Sequence, residues 1–282
     1  FHLLVARQPV TASGELPLGK EFWDGLGNRK LSVDWKQASG RLRIPPAELA
    51  AFGEWLPKTI MPQGELMANL ALQPGGALHG EARLGGARTR PLADLGPVRD
   101  IQARLAFHGR TVSIEQSSAD IGGQAVQADG TMQLPPELWP KSGLPATTLY
   151  LRGNRVPLAR RPEVILRADL DLVVTNAPGQ PPTIAGEVRL RDSFYLSDLR
   201  DLMPGKVASP RQRPPYFSID TEPLADWRLN LRVRGREFMT LRSTFFRGAV
   251  STTLKLEGTL KDPIALGDVN INSGTVRFPF AS

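Results

Sequence analysis

Three short stretches of this 282-residue chain follow the same pattern. Residues 80–84, 186–190 and 267–271 each read glycine, an acid, a small apolar residue, a polar residue and an aliphatic residue. An alternating apolar and polar run, followed by a turn, precedes each copy. A recurring strand–turn–strand unit predicts an elongated β array whose surface carries the function, in contrast to one catalytic cleft.

Alternating side chains between these copies predict amphipathic strands. In the clearest strand, Leu229, Leu231 and Val233 fall on one face, and Arg228 and Arg232 fall on the other. One wet face and one covered face are typical of antiparallel sheets. The chain also contains 27 glycines and 25 prolines, which favours many short strands joined by turns.

Breaks in the alternation predict turns and short helices. Apolar parity flips across residues 272–274, which indicates either a turn or a β-bulge. Residues 46–56 begin with proline, carry glutamate in the first turn and stop at Pro57, so we predict a short helix there. Residues 196–203 predict a second one, which ends at Pro204.

The domain organisation predicted from these signals has three parts. Residues 204–215 are basic and rich in proline, which is typical of a loop or linker. Residues 1–203 then form one series of β repeats, and residues 216–282 form a C-terminal repeat of the same array. The strand-like start at Phe1 predicts a fragment of a longer protein.

Chemistry-bearing residues are sparse, so we predict no enzyme, catalytic residue, metal site or cofactor. The chain has no cysteine, and its 3 histidines lack the spacing of metal ligands. Asp169 and Asp171 share one strand face, which alternating solvent-facing residues explain. The glycine pairs lack the Lys-Ser/Thr of a phosphate loop.

Net charge limits the partners. The formal charge is +7, but the arginines are scattered along strands without interleaved aromatic residues, so we predict no nucleic-acid partner. Weak attraction to an anionic membrane surface is compatible with this balance. The sequence contains no stretch of about 18 apolar residues that would span a membrane as a helix.

Several short motifs, taken in their order along the chain, resemble the C-terminal region of the TamB family, the large AsmA-like proteins of the Gram-negative envelope. The resemblance runs roughly from Gly40 to the end of the chain. It is carried by residues 56–58, 62–66, 70–72, 80–84, 91–101, 258–267 and 274–278.

The resemblance implies an all-β fold, an elongated curved antiparallel β half-pipe of the taco-like kind, with a hydrophobic concave groove and one or two short helices. It implies a periplasmic bridge whose parent protein is anchored in the inner membrane by an N-terminal helix. The expected partners are phospholipid and a BamA-like outer-membrane barrel protein of the TamA type.

The alternation selects the residues expected to line such a groove and to contact acyl chains. They are Val188, Leu190, Phe194, Leu229, Leu231, Val233, Leu254 and Leu256. The same residues also suit an ordinary sandwich core, because a period of two does not distinguish a lined groove from a packed one.

Three functions follow from these alternatives. A lipid conduit between the inner and outer membranes predicts bound acyl chains in a continuous groove. A scaffold for outer-membrane β-barrel or autotransporter assembly predicts strand addition to an exposed sheet edge. An adaptor without cargo predicts docking of a barrel partner by the terminal strands near residues 274–280.

Overall fold

The structure is a computed structural model that describes residues 2–5, 8–19, 37–134, 145–162, 164–177, 179–196, 218–242 and 246–276. It confirms the predicted all-β class: one large open sheet, consistent with a curved half-pipe. The strands are β1 His2–Val5, β2 Gln8–Glu15, β3 Ser39–Glu48, β4 Ile60–Met61, β5 Glu65–Gln73, β6 Ala77–Thr89, β7 Val98–Gly109, β8 Thr111–Ile121, β9 Gln124–Gln133, β10 Ala146–Arg160, β11 Val164–Asn176, β12 Thr183–Tyr195, β13 Arg228–Arg242, β14 Phe246–Gly258 and β15 Pro263–Val276.

Strand order follows chain order from β1 to β15, except that the short β4 pairs with β6 outside the main path. At a spacing of about 4.8 Å per strand, this stack extends over roughly 60 Å. Strand ends form two long rims. The turn rim carries the β5–β6, β7–β8 and β14–β15 turns, and the opposite rim carries the β6–β7, β8–β9 and β10–β11 connections.

One neighbour pair departs from the antiparallel arrangement that we predicted. β12 and β13 are parallel, with Thr183 opposite Arg228 and Val188 opposite Val233. Two parallel neighbours need a connection that returns the chain to the same rim, whereas a hairpin suffices for an antiparallel pair. The residues between Tyr195 and Arg228 make this return. Apart from Leu196, the helix predicted at 196–203 lies outside the described residues, as does the linker predicted at 204–215.

Register places the apolar side chains of successive strands on one continuous face. Directly paired residues from β3 to β14 form a row of mostly apolar or small residues: Ala47, Leu66, Leu84, Ala103, Ser117, Ala128, Leu151, Leu172, Gly186, Leu231 and Leu256. The neighbouring row includes Gln127, Arg152, Asp171, Glu187 and Arg232 and faces the other way. The sheet therefore has an apolar face and a polar face.

The three sequence copies share the same backbone conformation at their first residue. Their first residues, Gly80, Gly186 and Gly267, have φ of 129°, 128° and 136°. A Cβ atom at each would lie 2.0, 2.3 or 2.2 Å from a carbonyl oxygen of the preceding strand. Only glycine allows that approach without displacing backbone, so the repeat in the sequence is a repeat of the same strand-pairing geometry.

The predicted helix near 46–56 begins later than the sequence indicates. Pro45 and Pro46 belong to β3, where the register shifts between Ile44 and Ala47. A bulge accepts proline because its missing N–H is not needed for the ladder there. The chain then forms a 3-10 helix, Leu49–Trp55.

This 3-10 helix fills the apolar face at the N-terminal end of the sheet. Phe52 belongs to a buried cluster with Val10, Ile44, Ala47 and Ala68. We call this set the N-terminal cluster. A second 3-10 segment, Ala93–Leu95, lies in the β6–β7 connection.

The predicted turns are found where the alternation breaks. β7 ends at Gly109 and β8 begins at Thr111, and a two-residue turn joins β8 to β9. At residues 272–274 the sheet has a register shift and not a hairpin, and β15 continues to Val276. The bulge alternative is therefore the right one, and it explains the change of parity.

Candidate functional site

A cavity of about 350 Å³ lies on the apolar face of the C-terminal strands. Its wall consists mainly of aliphatic side chains from β10 to β14. We call it the groove cavity. Its lining residues are Leu92, Ala93, Asp94, Leu95, Ile121, Val156, Leu158, Leu166, Leu170, Leu172, Ile184, Val188, Leu190, Ile219, Leu229, Leu231, Val233, Leu254, Leu256, Leu260, Pro263 and Ala265.

Seven of the eight residues predicted to line a groove come together in this cavity. Leu229, Leu231 and Val233 on β13 alternate with exposed polar residues along the strand, namely Arg228, Asn230, Arg232 and Arg234. Val188 and Leu190 lie beside them on β12. The last two of the seven, Leu254 and Leu256 on β14, are half-buried. Their contact with a lipid stays a prediction.

Phe194, the eighth residue predicted to line a groove, does not line this cavity. The register of β12 against β13 shifts between Arg189 and Ser193, and Asp192 has a φ of 41°. This register shift exchanges the two faces of the strand, so Ser193 is buried. The Arg167 guanidinium carbon lies over the Phe194 ring, 6.0 Å from the ring centroid. Tyr195 instead packs against a buried cluster of the C-terminal strands that includes Leu229 and Leu241.

Several lining residues were missed by the sequence prediction although part of their signal was present. Leu166, Leu170 and Leu172 alternate along β11 in the same way as the β13 residues. Leu92 and Leu95 gave no such signal, because they lie in the short connection between β6 and β7 and not in a strand. Which connections fold over the sheet depends on tertiary structure, which alternation does not encode.

The two rims both contribute to the cavity. Leu92 and Leu95 approach from the rim that carries the β6–β7 connection, and Ile219 and Leu260 approach from the turn rim. The Ile219 amide donates to the Leu260 carbonyl at 2.7 Å, which fixes residues 218–221 beside the β14–β15 turn. The cavity is thus bounded by a wall of strands and by side chains from each rim.

Ion pairs cover the opposite, polar face. Arg104 contacts Glu81 at 3.1 Å and Glu115 at 3.6 Å, which links β6, β7 and β8. Asp169 contacts Arg191 at 2.6 Å and Asp171 contacts Arg152 at 3.8 Å, so this aspartate pair has solvent-facing partners, as predicted. Exposed pairs of this kind contribute about 0.2–1 kcal/mol each.

Groups in two ion pairs on or near this surface have shifted pKa values. A hydrogen bond from Arg189 lowers the pKa of the Glu187 carboxyl, and the nearby charges of Arg189, Arg234 and Arg232 act in the same direction. A hydrogen bond to Asp220 raises the pKa of the Lys261 amine, whose Nζ lies 3.1 Å from Oδ1. The second pair further ties residues 218–221 to the β14–β15 turn.

Within the described residues, no group of His, Cys, Asp or Glu side chains is arranged to hold a metal ion. The same residues contain no helix with the length and apolarity needed to cross a membrane.

The cavity wall continues into the C-terminal part of the chain, and this part matches a protein-family model. Residues 218–282 match the family model of the TamB C-terminal domain. The TamB resemblance is therefore confirmed over these residues, which are 65 of the 282 in the chain. The matched region begins at residue 218, inside the connection between β12 and β13, and it includes β13, β14 and β15.

The comparisons with curated proteins and with solved structures found no match. The division at residues 204–215 stays a prediction.

Proposed function

We propose that this chain is a segment of a periplasmic bridge that carries phospholipid acyl chains along its apolar groove between the inner and outer membranes. The observation that supports this most directly is the groove cavity, which is lined by apolar side chains from the six adjacent strands β10–β15 and from both rims. Its one charged lining residue among those described, Asp94, has its carboxylate bound by Arg161. The proposed role is transport without chemical conversion of the lipid.

The energetics favour a long hydrocarbon chain as the ligand. Each CH₂ group moved from water into such a lining contributes about 0.8 kcal/mol. A chain of about sixteen carbons therefore gains roughly 10 kcal/mol before the cost of ordering it. The polar face, with its ion pairs, offers no comparable gain, so the lipid is expected on one face of the sheet.

A pair of neighbouring residues on β13 tests the proposal. Leu231 is 8% exposed and lines the cavity, whereas Arg232 points to the polar face. A photo-crosslinking amino acid at position 231 is expected to capture phospholipid, detected by mass spectrometry, and the same amino acid at position 232 is expected to capture none. Equal capture at both positions, or none at 231 in a folded protein, contradicts the proposal.

The edge strand β15 favours a second candidate, a scaffold for outer-membrane β-barrel or autotransporter assembly. β15 has β14 as its neighbour in the sheet and forms the end of the strand order. Ile264, Leu266, Val269 and Ile271 on it are 54%, 52%, 63% and 56% exposed. Val269 pairs with the buried Thr252 and Ile264 with Glu257, so both faces of the edge carry apolar residues.

Such an edge is a template for another strand, and charged residues on an edge normally prevent this. Replacing Val269 and Ile271 by lysine is therefore expected to abolish binding of a labelled β-strand peptide from an outer-membrane barrel protein, measured by fluorescence anisotropy. Crosslinking of lipid at position 231 is expected to persist in the same variant. Loss of lipid capture together with unchanged peptide binding contradicts this second function. The adaptor alternative involves residues 277–280 in part, and these lie outside the described residues.

A further inference from the structure

The β6–β7 connection reaches across the apolar face to a strand that is not its neighbour. We call residues 92–96 the strap. It belongs between β6 and β7, but Asp94 on it contacts Arg161, which directly follows β10. β8 and β9 lie between β7 and β10, so the strap spans about 14 Å of sheet.

The strap is a small closed turn with its own hydrogen bonds. The Leu92 amide donates to the Gly96 carbonyl at 2.9 Å, and the Gly96 amide donates to the Ala93 carbonyl at 3.2 Å. Ala93 has a φ of 46°, a conformation that non-glycine residues keep only where the surroundings hold them there. The strap can therefore change position as one body without first losing its internal structure.

A bidentate ion pair attaches the strap to the residue that follows β10. Arg161 Nη2 donates to both carboxylate oxygens of Asp94 at 2.6 and 2.7 Å, and Arg161 Nε donates to Oδ1 at 2.9 Å. The Arg161 side chain is 31% exposed and the Asp94 side chain is 18% exposed. Partly buried, bidentate pairs are stronger than single-contact pairs between exposed side chains.

The strap also forms part of the groove cavity. Leu92 is only 6% exposed although it lies in a surface connection, and Leu92 and Leu95 both line the cavity. Ile219 and Leu260 line it from the opposite rim. Displacing the strap would remove one side of the cavity's enclosure and leave the wall of strands unchanged.

We propose that the strap is a gate over the groove cavity and that the Asp94–Arg161 ion pair holds this gate closed. Breaking the ion pair then opens a lateral path for an acyl chain. This inference rests on the proposed lipid-carrying function of the groove. It assigns Asp94 and Arg161 a positioning role, since they act on the acyl chain through Leu92 and Leu95.

Strap movement is testable without lipid, because the chain contains no cysteine. A Leu92→Cys variant provides a single buried thiol whose labelling rate by a maleimide reports opening. Adding Asp94→Asn is expected to raise that rate about tenfold, the scale of a hydrogen bond to a charged group. Glu187→Gln is the matched control: it makes the same charge change on β12 but on the polar face, and is expected to leave the rate unchanged. The double exchange Asp94→Arg with Arg161→Asp is expected to bring the rate back toward that of Leu92→Cys alone.

Gating is then measured with a fluorescent long-chain fatty acid, in the full chain and without the cysteine. Asp94→Asn is expected to raise its association and dissociation rates about tenfold, with a smaller change in Kd, while Glu187→Gln changes neither rate. Unchanged thiol labelling in the Asp94→Asn variant, or faster labelling with unchanged fatty-acid rates, overturns the gate. Failure of the unmodified chain to bind the fatty acid overturns the proposed function itself, and the gate with it. Far-UV circular dichroism confirms that each variant keeps its strand content.

Discussion

The two ends of the same apolar face differ in what occupies them. At the N-terminal end, the 3-10 helix Leu49–Trp55 places Phe52 among Val10, Ile44 and Ala68, and the face is filled. At the C-terminal end, the strands β10–β14 present a similar alternation but leave a cavity of about 350 Å³. The alternation of side chains makes the face apolar in both places, and the connections decide whether it is filled.

The connections differ in a way that explains this outcome. The chain between β3 and β5 contributes Leu49 and Phe52, both buried, whereas β10 and β11 are joined by only Arg161, Pro162 and Glu163. A short polar connection has no apolar side chain to lay over the strands. Among the described residues, the C-terminal face therefore keeps a space that another molecule is suited to occupy.

The largest effect is expected from emptying the filled end. Phe52→Ala removes a side chain that is 9% exposed and is expected to lower the free energy of unfolding by about 3–5 kcal/mol, measured by urea denaturation. Trp55→Ala on the same helix removes a side chain that is 68% exposed and is expected to cost less than about 0.5 kcal/mol. If the folded Phe52→Ala variant also binds more fatty acid than the unmodified chain, the N-terminal and C-terminal ends of the apolar face differ only in whether side chains occupy them. Similar losses for both variants would contradict the assignment of Phe52 to the N-terminal cluster.

The next effect tests whether the sheet itself is the same at both ends. Gly80→Ala and Gly186→Ala each place a methyl group within 2.3 Å of a carbonyl oxygen, at φ near 129° and 128°. We expect each to lower the free energy of unfolding by about 3 kcal/mol. Gly85→Ala, on the same strand as Gly80, meets nothing within 4 Å and is expected to change it by less than about 0.5 kcal/mol. A large loss at only one of the first two positions would mean that the repeated copies do not share one structural role.

A smaller effect separates a packed region from an unfilled one. Ala68→Leu adds volume inside the N-terminal cluster and is expected to cost about 1–3 kcal/mol, measured by urea denaturation. Leu231→Trp adds volume beside the groove cavity and is expected to cost less than about 1 kcal/mol while it weakens fatty-acid binding. A larger loss for Leu231→Trp than for Ala68→Leu would indicate that the C-terminal end is an ordinary packed core.

The smallest effect concerns the polar face and its dependence on pH. The hydrogen bond from Arg189 lowers the pKa of Glu187 in the folded chain, so its stabilising contribution is present above the unfolded-state pKa and is lost as the pH falls through the folded-state pKa. Glu187→Gln is thus expected to lower Tm slightly at neutral pH and to leave it unchanged in acid below that folded-state pKa. A difference in Tm that grows on acidification would have the wrong sign. Fatty-acid binding is expected to be unaffected, because Glu187 lies on the face away from the cavity.

Most of the fold, and seven groove residues, could be predicted because alternation directly reports which face a side chain occupies. Leu229, Leu231 and Val233 follow that rule along β13 without interruption. Phe194 does not, because the bulge at Asp192 reverses the faces within a single strand. The sequence marks a bulge only weakly, and a one-residue slip exchanges the two faces.

The remaining features depend on contacts between residues that are far apart in the chain. The strap contacts β10 through a pair 67 residues apart, and no local pattern around Asp94 indicates Arg161 as its partner. The parallel pairing of β12 with β13 likewise depends on how the residues between them return. Local periodicity predicts strands and faces, but not which connection crosses the sheet or which rim it reaches.

The one parallel pair among the described strands has a topological consequence for how such an array changes its length. Each antiparallel neighbour reverses the direction of the chain, and the parallel pair cancels one reversal, so β15 ends on the rim that carries the strap. Adding or removing a hairpin changes the number of reversals by two, so the last strand still ends on the same rim. Adding one strand moves the exit to the opposite rim. An array of this kind is therefore expected to grow or shrink by even numbers of strands wherever the exit side matters, and an odd change requires a second parallel pair.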